Sequence, residues 1–175
     1  MTLRKNSLAF TLIELLVTIG IIAILAAILL PAIKAALDKA HKAQAQHEIS
    51  GIANAIKSYY NEYSKYPTLQ VPYPATDTSF GKGGATADNK DIISVLTGNN
   101  PRKISFLELS STSTNATGNA IDPWDNAYGI GLDYNFDNSV VSGAAGIGTV
   151  GGRGVIVWSA GQDGTVGTAD DIKSW

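Results

Sequence analysis

The chain changes its hydrophobic pattern twice. From Phe10 to Ile33 it is almost continuously apolar, and Leu15–Ile33 is a run of 19 residues without a charge. That is long enough to cross a bilayer as a helix. Beyond Pro31 the apolar positions become periodic. Ile49, Ile52, Ile56, Tyr59, Tyr60 and Tyr63 recur at steps of three and four, which predicts one apolar stripe along a helix. The stripe reads as the face that binds a globular head. Ala35, Ala36, Ala40, Ala43 and Ala45 favour helix and permit close packing. Pro67 ends the element after Tyr66. Unbroken from Thr11 to Tyr63, such a helix would run roughly 80 Å. Pro31 lacks an amide hydrogen and predicts a kink or a local opening.

Past Pro67 the periodicity stops. Residues 71–90 read as loop, rich in Pro, Gly, Thr and Asp, and Asp91–Leu96 as a short helix. Ser110–Asn119 reads as a polar linker. Tyr128–Tyr134 predicts a strand, Val155–Trp158 a buried strand and Asn138–Val141 a third. The expected fold is α+β: a long N-terminal helix, its first half membrane-spanning, packed on a small antiparallel β-sheet head. The expected segments are a leader, 1–9, an apolar transmembrane and assembly segment, 10–33, and a globular domain, 34–175, that includes the rest of the helix. No internal repeat is evident.

Charge sharpens this division. The net charge is −2, but residues 1–65 carry seven Lys and Arg against four acids, and residues 110–175 carry two against seven. No basic patch is interleaved with aromatics, which argues against nucleic-acid binding. The chain has no Cys, which removes thiolate catalysis, zinc–thiolate sites and disulfides. His41 and His47 are not at metal-ligand spacing and read as solvated side chains. Gly146–Gly151 spells G-x-G-x-x-G, but a strand follows where a nucleotide site needs a helix, so a hairpin loop is expected. Ser159 lacks the Gly-x-Ser-x-Gly frame and a His to activate it. A non-enzymatic role follows.

Met1–Ala9 carries Arg4 and Lys5 and no acid, ahead of the apolar run. These cations should hold the N-terminus in the cytoplasm. In an ordinary secretory signal, here cut after Ala26 or Ala27, the apolar core would be discarded. Its continuation into a helical pattern predicts that it is kept. Glu14 stands within this segment, where a mid-bilayer carboxylate costs about 2.5–3.5 kcal/mol and so calls for a partner or a function. Ala9-Phe10-Thr11-Leu12-Ile13-Glu14-Leu15-Leu16-Val17 resembles the processing motif of type IV prepilins and type II secretion pseudopilins. The resemblance implies cleavage between Ala9 and Phe10 by a membrane prepilin peptidase, with N-methylation of Phe10. The family usually has Gly where Ala9 stands. Cutting would expose a cationic amine on Phe10 at a depth similar to Glu14. Between neighbouring subunits the two would neutralise each other, making Glu14 a register pin for assembly.

Three stretches of the head, Tyr66-Pro67-Thr68, Asp122–Tyr128 and Trp158–Trp175, are similar to the major pseudopilin of type II secretion systems. That subfamily commonly has Gly and Pro where this chain has Asp125 and Ala127, and the likeness does not extend to about residues 70–120. Ala160–Asp171 packs three carboxylates and three Gly into a short stretch, the hard oxygen donors and tight turns that calcium favours, although the spacing is not that of an EF-hand. A solvated acidic loop is the alternative. The resemblance implies a calcium loop: Asp163 and Asp171 match side-chain ligands, Asp170 stands beside them, and Ala160 and Thr165 fall where backbone oxygens are used. It further implies a homo-oligomeric helical filament with minor pseudopilins. The subunit would enter as a single-pass inner-membrane protein with a periplasmic head. A secretion platform and its cytoplasmic ATPase would then drive export of folded proteins. The rival readings are a type IV pilin for adhesion, motility or DNA uptake, which the lack of Cys disfavours, and a membrane-tethered enzyme or calcium-dependent binding module.

Overall fold

The computed structural model describes residues 11–175. Its elements are a long helix α1 (Leu12–Tyr63), a short helix α2 (Lys90–Leu96) and six strands. The strands are β1 (Thr78–Phe80), β2 (Gly129–Leu132), β3 (Ser139–Val141), β4 (Thr149–Gly151), β5 (Val155–Ser159) and β6 (Ile172–Lys173). Two compact units share the chain, the first ending at Ala40 and the second running from His41 to Trp175.

In the first unit α1 passes through Pro31 without interruption, so the expected local opening is absent. The ring removes the bond to the Ala27 carbonyl and crowds that oxygen, but the flanking Leu and Ala residues are strong helix formers that carry the helix through. Leu15, Leu16, Ile19, Ile22, Ile24 and Leu25 are all exposed, so this part of the helix buries nothing within its own unit.

In the second unit the predicted stripe is the core. Ile49, Ile52, Ile56 and Tyr59 are buried, with Ala45, Ala53 and Ala55 filling the spaces between them. All of these but Ala45 pack in one cluster with Ile130, Leu132, Val155 and Val157. The main sheet has the order β1-β2-β5-β6, all antiparallel. On β5, Val155 and Val157 face the helix cluster, whereas Ile156 and Trp158 join a second cluster with Val140 and Ala144. Both faces of β5 are therefore covered, which is why its sequence is a continuous apolar run rather than an alternation. Opposite Trp158 and Ile156 stand Gly129 and Gly131. A Cβ at Gly129 would overlap the Trp158 indole, so the strand can lie beside that ring only without a side chain.

The structure corrects several expectations. Residues 71–90 are not all loop, because β1 pairs with β2 along the sheet edge. The strand at 138–141 forms, but outside the main sheet: β3 pairs with β4 in a separate hairpin over the second cluster. The G-x-G-x-x-G stretch accordingly ends inside β4. His41 is half-buried rather than solvated, edge-on to Trp124 with ring centroids 5.8 Å apart.

Candidate functional site

Two sites were expected, one at each end of the chain. At the N-terminal end, Ala9 and Phe10 lie outside the described residues. Glu14 is described, in the first turn of α1. Its Oε2 accepts the Thr11 backbone N–H at 2.9 Å and the Thr11 hydroxyl at 2.7 Å, and the Glu14 N–H donates to Thr11 Oγ1 at 3.3 Å. This is a reciprocal capping box, which satisfies helix-terminal donors that would otherwise be orphaned. Thr-x-x-Glu directly before an apolar run is its sequence signature, and it went unread beside the charge of Glu14. The carboxylate that is so expensive in an apolar segment thus helps to start the helix carrying that segment. Behind it, the described part of the apolar stretch is exposed, and α1 is long and apolar enough to cross a membrane.

At the C-terminal end, residues 160–171 form a loop between β5 and β6. Gly161 (φ 63°) turns the chain so tightly that a side chain there would collide with Asp170. Asp170 accepts the Asp163 backbone N–H through Oδ2 at 3.1 Å and the Thr168 hydroxyl through Oδ1 at 2.7 Å. The Thr168 hydroxyl, above all, holds the Asp170 carboxyl below the usual carboxylate range. Asp163 Oδ1 accepts the Thr165 N–H at 2.7 Å. Asp171 is the buried member, its side chain 1% exposed. Its Oδ2 accepts the Gly167 N–H at 2.8 Å and lies 3.5 Å from Lys173 Nζ, while Oδ1 is buried without any hydrogen-bond partner. Ala160 is fully buried and Thr165 exposed.

The loop thus brings Asp163 and Asp170 into contact, with Asp171 adjacent but turned inward. The oxygens of these three do not gather within 4.8 Å of one another; among the described residues Asp77, Asp133 and Asp137 do. An orphaned buried carboxylate oxygen beside hard oxygen donors nevertheless fits a cation such as calcium.

A second polar junction, not foreseen from the sequence, fastens α1 to the sheet. Glu48 Oε2 accepts the Tyr128 hydroxyl at 2.6 Å, and Oε1 accepts the Ser113 hydroxyl at 2.7 Å. Asp122 accepts the Ser159 hydroxyl at 2.5 Å and the N–H groups of Trp124 and Asn126, fixing the strand β5 end that launches the acidic loop. Nothing local in the sequence marks the Glu48–Tyr128, Glu48–Ser113 and Asp122–Ser159 contacts, whose partners lie 37 to 80 residues apart.

Residues 4–30 match the model of the prokaryotic N-terminal methylation motif. The type II secretion system core protein G of Klebsiella michiganensis is 27% identical over 172 residues, 98% of this chain and 95% of that protein. The protein of the same name from Escherichia coli K12 is 28% identical over 166 residues, 95% and 89% of the two chains. That from Aeromonas hydrophila is 24% identical over 172 residues, 98% and 94% of the two. A membrane-length apolar helix behind a capped glutamate and an antiparallel head accompany these similarities: the chain matches the prokaryotic N-terminal methylation motif over residues 4–30 and is similar over nearly its whole length to the type II secretion system core protein G.

Proposed function

We propose that this chain is a structural subunit of a type II secretion pseudopilus, helping to export folded proteins across the outer membrane. One observation carries the reading: a charge-free apolar helical segment lies exposed directly behind Glu14, within the residues that match the methylation motif. A surface of that kind is stable only in lipid or against other apolar helices. The subunit therefore waits in the inner membrane, N-terminus in the cytoplasm and head in the periplasm. It assembles with further copies and minor pseudopilins on the secretion platform, driven by its ATPase. Prepilin peptidase cuts between Ala9 and Phe10. The new amine of one subunit then pairs with Glu14 of its neighbour, whose carboxylate already caps its own helix through Thr11.

Calcium belongs to the same reading. Asp163 and Asp171 would supply side-chain oxygens, with Asp170 beside them and the backbone oxygens of Ala160 and Thr165. The orphaned Asp171 Oδ1 supports the assignment. A bound ion would brace the 160–171 loop on the head.

The test is assembly of a Glu14→Ala variant in cells that carry the secretion system. It should insert as well as the wild type, because a costly charge has left the apolar segment. Cross-linking of membrane fractions should show no multimer ladder, and secreted proteins should accumulate in the periplasm. A normal ladder with normal export would refute the role given to Glu14.

A further inference from the structure

The β1–β2 ladder gathers a second group of carboxylates, away from the acidic loop. Thr78 pairs with Leu132, so Asp77 and Asp133 stand side by side one step beyond the paired register. Asp137, two residues before β3, completes a trio whose ligand oxygens all lie within 4.8 Å of one another. Asp133 is 3% exposed. Asp77 is half-buried and Asp137 exposed. Like charges set across neighbouring strands repel, and the burial of Asp133 removes part of the water that would screen them. Yet the ion pairs among the described residues join Lys90 to Asp88, Arg102 to Glu62 and Lys173 to Asp171, and none reaches this trio.

Backbone donors answer only part of the charge. Asp133 accepts the N–H groups of Asp137 at 3.2 Å and Asn138 at 3.0 Å, and Asp77 Oδ2 accepts the Val141 N–H at 2.9 Å. Asp77 Oδ1 is different: it is buried and has no hydrogen-bond partner at all. A buried carboxylate oxygen left unpaired among other carboxylates is costly unless a cation meets it.

We propose that Asp77, Asp133 and Asp137 bind a divalent cation of the calcium type, at a site separate from residues 160–171. The donors are all hard oxygens, with no imidazole or thiolate, which selects calcium or magnesium over transition metals. Two ligands come from strand ends and one from a turn in which Phe136 and Asn138 have positive φ (62° and 63°), a setting that suits the irregular coordination of calcium. The run Asp133-Tyr134-Asn135-Phe136-Asp137 also has the alternate spacing that opens an EF-hand loop, and Asn138 takes the left-handed conformation that Gly supplies there. An ion held this way ties the edge strand β1 to the turn between β2 and β3.

Calorimetric titration of calcium into the full chain, stripped with chelator and held in detergent micelles, tests the proposal. An Asp171→Asn chain should still bind one equivalent. Adding Asp77→Asn or Asp137→Asn to it should remove that equivalent or weaken it at least tenfold. Thermal melting supplies a second sign. In chelator Asp77→Asn should melt above the wild type, because a repelling charge is gone, and in millimolar calcium it should melt below. The proposal is overturned if the Asp171→Asn chain binds no calcium, or if neither Asp77→Asn nor Asp137→Asn changes the titration. Should the loop reading fail instead, Asp171→Asn would leave the stoichiometry unchanged while Asp137→Asn still removed one site.

Discussion

Glu48→Ala removes one carboxylate that serves donors from three parts of the second unit. Tyr128, just before β2, and Ser113 from the preceding turns donate hydroxyls to it at 2.6 and 2.7 Å, and Gln44 on the same helix donates its amide at 3.0 Å. A hydrogen bond to a charged acceptor contributes roughly 1.5–3 kcal/mol. Tyr128 and Ser113 are both buried, so each would lose its partner in a place where replacement is difficult. The exposed Gln44 amide loses little. A cavity of about 240 Å³ lined by His47, Glu48 and Leu107 admits some water to the gap, which trims the loss. The expected destabilisation is about 2–4 kcal/mol, a large share of a domain margin of roughly 5–15 kcal/mol. Denaturant unfolding of the full chain in detergent, followed by the fluorescence of Trp124, Trp158 and Trp175 in the head, measures it. Tyr128→Phe and the double variant complete a cycle, with an expected coupling of about 1–2 kcal/mol. A loss below about 0.5 kcal/mol for Glu48→Ala, or strictly additive effects, would show that this junction does not fasten the helix to the sheet.

Three further outcomes follow from the same structure. Gly129→Ala should cost about 3 kcal/mol, because the new methyl overlaps the buried Trp158 ring; an unchanged melting temperature would contradict the packing of β2 on β5. Burial pushes the Asp122 carboxyl above its ordinary value of 3.8 despite the Ser159 hydroxyl and two N–H donors, so the folded chain holds this proton more tightly than the unfolded one. Its contribution is therefore most favourable below pH 3.8 and is lost as pH rises through the raised value: the melting temperature of the wild type relative to Asp122→Asn should fall over that window, and a rise would refute the assignment. Calcium at 100 times its Kd should stabilise the head by about 2.7 kcal/mol per site. Asp171→Ala should remove the loop's share, seen as a smaller shift between melts in chelator and in calcium.

What could be read in the sequence was whatever a local pattern specifies. Ile49, Ile52, Ile56 and Tyr59 are spaced by the helix itself, and all are buried as the stripe requires. Val155–Trp158 is apolar on both faces because both faces are covered, which a short run can signal alone. β1 gave no such signal: three residues in a Pro- and Gly-rich stretch become a strand only because β2 offers an edge. β3 was visible, but its partner was not, since whether it pairs with β2 or with β4 depends on the intervening turn. The sites divide in the same way. Asp163, Asp170 and Asp171 are neighbours in the chain, and Glu14 stands out by its charge. Asp77 meets Asp133 only through the β1–β2 register, and Glu48 meets Tyr128 only through the docking of helix on sheet. The Thr11–Glu14 box was legible and was hidden by the stronger message of a carboxylate among apolar residues.

A processed filament subunit is recognised by the intact mass of the protein extracted from membranes that contain a prepilin peptidase. A single species corresponding to Phe10–Trp175 with one added methyl group is expected. A chain still beginning at Met1 despite active peptidase, or one beginning near residue 27 or 28, would contradict it.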